Sequence, residues 1–162
     1  MSITDRFLRA NEQYADHFTK GNLPMPPGCQ VAVVACMDAR LDPARILGLE
    51  EGDAHVIRNA GGRADDAIRS LVISQQLLGT REIVVIHHTD CGMLTFTDDQ
   101  LRRKVRDELG ADTDMPFLAF PDLEQSVRDD MRTLRDSPLL LKDIPIRGFI
   151  YDVHTGRLSE VA

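Results

Sequence analysis

Residues 83–92 read IVVIHHTDCG, and residues 31–40, VAVVACMDAR, repeat the same plan. Each stretch opens on an unbroken apolar run (31–35 and 83–86), the mark of a strand covered on both faces. Each then passes at once into residues that carry chemistry. The first supplies Cys36, Asp38 and Arg40; the second supplies His87, His88, Asp90 and Cys91. Strands buried on both faces belong to parallel sheets, whose ligands collect beyond the carboxyl ends of the strands. If the two strands are neighbours, both reactive turns meet on one edge of one sheet.

The flanking sequence supports such a sheet. A strand over 55–57 ends at Asn59-Ala60-Gly61-Gly62. A helix over 65–78 carries Ala67, Leu71, Ser74 and Leu78 on one face and closes at Gly79. Asp42 and Pro43 start a short helix over 43–48, and Thr97-x-x-Gln100 is a capping box opening a helix to about residue 109. A further helix runs over 122–135, between Pro121 and Pro138, and a last strand runs over 147–153 before Thr155-Gly156 turns the chain into a short tail. Strands alternating with helices predict an α/β fold, a mainly parallel central sheet flanked by helices. Ahead of it, residues 4–19 form an amphipathic helix with Phe7, Asn11, Tyr14 and Phe18 on one side, and GNLPMPPG (21–28) breaks any regular ladder. The 162 residues therefore read as one domain: an N-terminal helical arm and linker (1–28) and an α/β core (29–162). The arm either packs on its own core or lies on a partner subunit.

Composition excludes several roles. There are 19 Lys and Arg against 26 Asp and Glu, a formal net charge of −7. That argues against nucleic acid or an anionic membrane as partner. No apolar run approaches a membrane span, and residues 1–13 lack the basic start and apolar stretch of a secretory leader, so a cytoplasmic protein is expected. Three cysteines do not make a disulfide framework, which turns attention to metal binding or catalysis.

Two cysteine sulfurs and an imidazole are the ligands zinc prefers, and a three-ligand site keeps a coordination position open for water. Taken singly, each piece has a plainer explanation. A Cys ending a buried strand is usually a small apolar residue, H-x2-C is common, and Asp38 with Arg40 suits a surface turn. Their joint placement after two buried strands makes the metal reading the better one. Successive strand residues face opposite sides, so only one of His87 and His88 can readily reach the metal. Cys29, in the linker, reads as a free thiol, and His17, His55 and His154 as structural or solvated residues. His87, His55 and Asp90 are candidates for moving a proton to solvent.

The combination Cys36-x-Asp38-x-Arg40, Arg58-Asn59-Ala60-Gly61 and His88-x-x-Cys91-Gly92 resembles the β-class carbonic anhydrases, closest to their short, compact subtype, over nearly all of the chain from about residue 31 to 158. The resemblance implies Zn2+ bound by Cys36, His88 and Cys91, which selects His88 over His87. It implies Asp38 and Arg40 as the catalytic dyad, with Asp38 a metal ligand only in a closed state. It also implies a substrate pocket lined by Asn59, Ala60, Gly61 and Gly92. The expected reaction is reversible hydration of CO2 to bicarbonate and a proton by zinc-bound hydroxide. The expected assembly is a homodimer or a multiple of dimers such as a homotetramer, with N-terminal helices packed across subunits. This sequence departs from many members in having Ala39 where they have Ser, and it has no Trp to build the non-catalytic bicarbonate pocket of some members. Carbonyl sulfide or carbon disulfide hydrolysis at the same zinc site is the alternative. A non-catalytic zinc domain, with Asp38 as a permanent fourth ligand, is a further one.

Overall fold

A computed structural model describes residues 2–162. Strand β1 (Val31–Cys36) lies between two parallel neighbours, β2 (Ala54–Asn59) at one edge of the sheet and β3 (Glu82–His88) at its middle. Next to β3 comes parallel β4 (Ile146–Tyr151), and antiparallel β5 (Leu158–Val161) closes that edge, giving the order β2-β1-β3-β4-β5. The chain leaves β1 through helix α2 (Pro43–Leu47) for β2, then returns through α3 (Ile68–Leu78) to β3 on the opposite side. This reversal opens a crevice at the carboxyl ends of β1 and β3. Cys36 and His88 are the last residues of those two strands.

The helices begin and end where side chains can satisfy their free backbone groups. The Asp42 side chain caps α2, Pro43 occupies its first turn, and Gly48 ends it at φ +67°. Thr97 and Gln100 bond reciprocally at the start of α4 (Asp98–Leu109), and Asp122 accepts from Gln125 N at 2.7 Å at the start of α5 (Leu123–Asp136). Helices α3 and α5 cover one sheet face, where Val34, Leu71, Ile83, Val85, Val127 and Leu134 are buried together. Each such side chain contributes about 1.5–3 kcal/mol by leaving water. On β4, Gly148 lets α5 lie close against the sheet, because a Cβ there would collide with Val127 and Met131.

Several boundaries differ from the sequence reading. The first helix, α1, spans Ile3–Asp16 and starts with a Ser2–Asp5 capping box. The helix expected from residue 65 begins as a 3₁₀ turn, Asp65–Ala67, before α3 proper. The last core strand stops at Tyr151, and the expected tail is β5. Only one end of β5 is buried, at Val161. An edge strand this short has no apolar run to announce it.

No residue of α1 is buried, so the arm does not pack into its own core. It is tied to the body by the Tyr14 hydroxyl, which donates to Glu51 Oε1 at 3.4 Å, and by the residues that follow the helix. Lys20 pairs with Glu50 at 3.2 Å and with Glu51, and the amides of Gly28 and Cys29 donate to the carbonyls of Gly52 and Asp53 at 2.8 Å. Cys29 is an exposed free thiol, in line with its place in the linker. Among the described residues, no helix is long and apolar enough to cross a membrane.

Candidate metal centre

Cys36 and His88 arrive on adjacent strands, and the Thr89-Asp90 turn brings Cys91 back beside them, with Asp90 in the left-handed region at φ +55°. The ligating atoms of Cys36, His88 and Cys91 all lie within 4.8 Å of one another, and all three residues are buried. Zinc bonds of about 2.0–2.3 Å fit a cluster of this size with small side-chain adjustments.

Hydrogen bonding fixes which histidine nitrogen faces the cluster. His88 Nδ1 lies 2.8 Å from the carbonyl oxygen of Thr89, so it carries the proton and donates. His88 Nε2 then holds a free lone pair, and it is buried without a hydrogen-bond partner. A buried polar atom left this way calls for a metal ion, and the backbone bond to the other nitrogen is the usual way of setting a ligand's tautomer. The two thiols agree. The Cys91 side chain pulls the Cys36 thiol well down, and Cys36 in turn pushes Cys91 well up. Two thiolates side by side repel, and a divalent cation between them removes that cost. The donor set of two sulfurs and one nitrogen fits zinc.

Asp38 stands beside the cluster, its Oδ2 3.7 Å from His88 Nε2. Arg40 grips it with a two-point fork, Nε to Oδ1 at 3.0 Å and Nη2 to Oδ2 at 2.8 Å, and the Arg40 amide donates to Oδ1 at 2.8 Å. This hold keeps the Asp38 carboxyl well below the usual carboxylate range, and Asp38 raises the Arg40 guanidinium in return. Arg58 braces the same turn by donating to the carbonyls of Cys36 and Asp38 at 3.0 and 2.8 Å.

A cavity of about 420 Å³ opens over the cluster. Its walls include Asp38, Ala60, Gly61 and Gly92, together with Met37, Met93, Thr95 and Phe96, which the sequence reading did not single out. Asn59, expected to line the pocket, braces it from behind. Its Nδ2 donates to Arg63 O at 3.0 Å and its Oδ1 accepts from Arg63 N at 2.7 Å.

The sequence reading also missed a buried polar group beneath the 60–64 turn. Asp130 on α5 accepts from Arg63 at 2.9 Å and from the Ala64 amide at 3.0 Å. His87 Nε2 lies 3.0 Å from Asp130 and 3.1 Å from Gly62 O, its Nδ1 lies 2.7 Å from Ser126 Oγ, and its ring stacks on Phe120 at 5.4 Å. His87 therefore points away from the metal ligands and is sealed from solvent, as alternation along β3 requires. His55 bonds Ser74 Oγ at 2.7 Å and pairs with Ala32, near the opposite end of the sheet. Of the three proton-transfer candidates only Asp90 is exposed at the site, with 68% of its side chain accessible.

Comparison with known proteins agrees with this geometry. The carbonic anhydrase family model matches residues 31–115. Over 162 aligned residues the chain is 54% identical to Beta-carbonic anhydrase 1 of Mycobacterium tuberculosis, with 99% of each covered. The carbonic anhydrase structure from Streptococcus mutans superposes with a TM-score of 0.95 at 54% identity, covering 100% of this chain and 99% of that one. A carbon disulfide hydrolase from Acidianus sp. is 36% identical over 181 aligned residues, covering 96% of this chain and 87% of the relative. With the Cys36–His88–Cys91 cluster at its sheet crevice and full-length identity of this order, the chain belongs to the β-class carbonic anhydrases.

Proposed function

We infer that the chain catalyses the reversible hydration of CO2 to bicarbonate and a proton, with zinc held by Cys36, His88 and Cys91. The observation that carries this reading is the unpartnered Nε2 of His88, which faces two cysteine sulfurs with the Asp38–Arg40 pair alongside. When bound, zinc supplies a Lewis acid that makes hydroxide available near neutral pH.

The chain's own residues do the rest. Asp38, kept ionised by Arg40, accepts a hydrogen bond from the attacking oxygen and fixes which lone pair meets the substrate. The fork from Arg40 also holds Asp38 off the ligand cluster, which speaks against Asp38 as a permanent fourth ligand in a purely structural site. Ala60, Gly61 and Gly92 leave room for a small substrate, and Met93 and Phe96 give the cavity an apolar wall suited to uncharged CO2.

Hydrolysis of carbon disulfide or carbonyl sulfide is the second reading, supported by the 36% identity to a carbon disulfide hydrolase. The higher identity to carbonic anhydrases favours CO2. We also propose that the protein works as a dimer or a multiple of dimers, with the exposed Phe7, Leu8 and Tyr14 of α1 set against a second copy.

Stopped-flow CO2 hydration by zinc-loaded protein tests the reading. Asp38→Asn is expected to retain zinc and lose about 100-fold or more in kcat. Near-normal turnover in that variant would contradict the role given to Asp38.

A further inference from the structure

The grip of Arg40 on Asp38 accounts for only half of what Arg40 does. On its far side the guanidinium donates from Nη1 to Asp90 Oδ2 at 2.8 Å and from Nη2 to the Asp90 carbonyl oxygen at 2.9 Å. Arg40 thus ties the turn that follows Cys36 at the end of β1 to the turn between His88 and Cys91 after β3. The Asp90 backbone is in the left-handed region, unusual for a residue with a side chain, and it offers carbonyl and carboxylate to the same guanidinium. Arg40 and Asp90 are both well exposed, at 45% and 68%, so this contact does little for global stability. Its effect is geometric. A guanidinium held from one side only can rotate or swing into solvent. Held from two sides, it keeps both nitrogens in register with the two oxygens of Asp38.

We propose that Asp90 is a positioning residue for the reaction, acting through Arg40 to keep Asp38 oriented beside the metal ligands instead of turned onto them. The proposal rests on the role given above to Asp38. Asp38 Oδ2 is already 3.7 Å from His88 Nε2, so a modest rotation brings it into contact with whatever His88 binds. With zinc held by Cys36, His88 and Cys91, an Asp38 released by Arg40 would be free to turn its carboxylate onto the ligand cluster.

Asp90→Asn is the suitable variant, because Asn tolerates the left-handed backbone and leaves the carbonyl contact in place. It replaces the ionised partner of Nη1 by a neutral acceptor, a bond about half as strong, which loosens the far-side hold on Arg40. Zinc content of the purified protein is expected to stay at the wild-type level. CO2 hydration is expected to lose about tenfold in kcat with KM changed by less than about twofold, the mark of an effect on the chemical step. Azide binding to the zinc-loaded protein, followed by calorimetry, supplies a readout independent of turnover. Its affinity is expected to fall about fivefold in Asp90→Asn, because Asp38 then competes with the anion. In an Asp38→Asn background, adding Asp90→Asn is expected to change neither rate nor azide affinity further, since residues acting through one another are not additive. Full rate in Asp90→Asn, unchanged azide affinity, or an undiminished tenfold loss in the Asp38→Asn background would each overturn the proposal. Near-normal rate in Asp38→Asn alone would instead overturn the role of Asp38 on which it rests.

Discussion

Gly62 shows how tightly the metal site is built around its own backbone. Its φ is +65°, and a Cβ there would sit 2.8 Å from the Cys36 amide nitrogen and 2.9 Å from the Ile86 carbonyl oxygen. Both are strand backbone atoms that cannot swing aside. Gly62→Ala is therefore expected to cost on the order of 3 kcal/mol, combining an unfavourable φ with a clash against β1 and β3. Urea unfolding should show a lower midpoint with an unchanged slope, and a loss below about 0.5 kcal/mol would contradict the close packing described. At this scale the sequence was most informative about the ligands. Cys36 and His88 end their strands and Cys91 follows a two-residue turn, while the period-two alternation of β3 lets only one of His87 and His88 reach the metal, and the family resemblance picks His88. The sequence could not reveal what His87 faces, since Ser126 and Asp130 come from α5, far along the chain. Nor could it show that Asn59 turns its amide to Arg63, because Asn at a strand end suits a pocket wall and a turn brace equally.

Among the elements, α4 was legible at its start and opaque in its purpose. The Thr97–Gln100 capping box was plain from spacing. The next residue, Asp98, acts over a longer range. It accepts from the amides of Phe117 at 2.9 Å, Leu118 at 3.3 Å and Ala119 at 3.0 Å. These bonds strap the segment before Phe120 onto the helix start, and Phe120 packs with Cys36, Cys91 and Met93. Burial works to raise the Asp98 pKa, but the amides of Ala119, Phe117 and Leu118 outweigh it and hold the carboxyl below its ordinary value. A carboxylate whose folded pKa is depressed stabilises the fold fully above its unfolded pKa of about 3.9. That contribution is lost as pH falls through the folded pKa. Thermal melting should therefore show wild type losing its advantage over Asp98→Asn below about pH 4 and keeping it at pH 7. A difference in melting temperature that is the same at both pH values would contradict the strap. The edge strand β5 stayed hidden for a different reason, since Leu158-Ser159-Glu160-Val161 gains its order from pairing with β4.

For the molecule as a whole, α1 is the part that the single chain leaves unexplained. Phe7, Leu8 and Tyr14 expose 57%, 60% and 53% of their surface, and no residue of the helix is buried. An amphipathic helix gains most of its stability from packing its apolar face. Replacing Phe7 and Leu8 by Glu is expected to shift the protein from dimer or tetramer to monomer in light scattering at equal concentration. An unchanged mass would place the subunit contact elsewhere. The parallel sheet and its site edge could be read from two apolar runs alone, but the destination of the arm could not, because the sequence of one chain carries no direct mark of a second. The chemistry of the site depends on zinc at Cys36, His88 and Cys91, and the most direct test is stopped-flow CO2 hydration before and after metal removal. Chelator-stripped protein is predicted to be inactive and to regain hydration in proportion to added zinc, saturating at about one ion per chain. CO2 hydration that survives complete removal of the metal, or a zinc-saturated protein that hydrolyses carbon disulfide but leaves CO2 untouched, would contradict it.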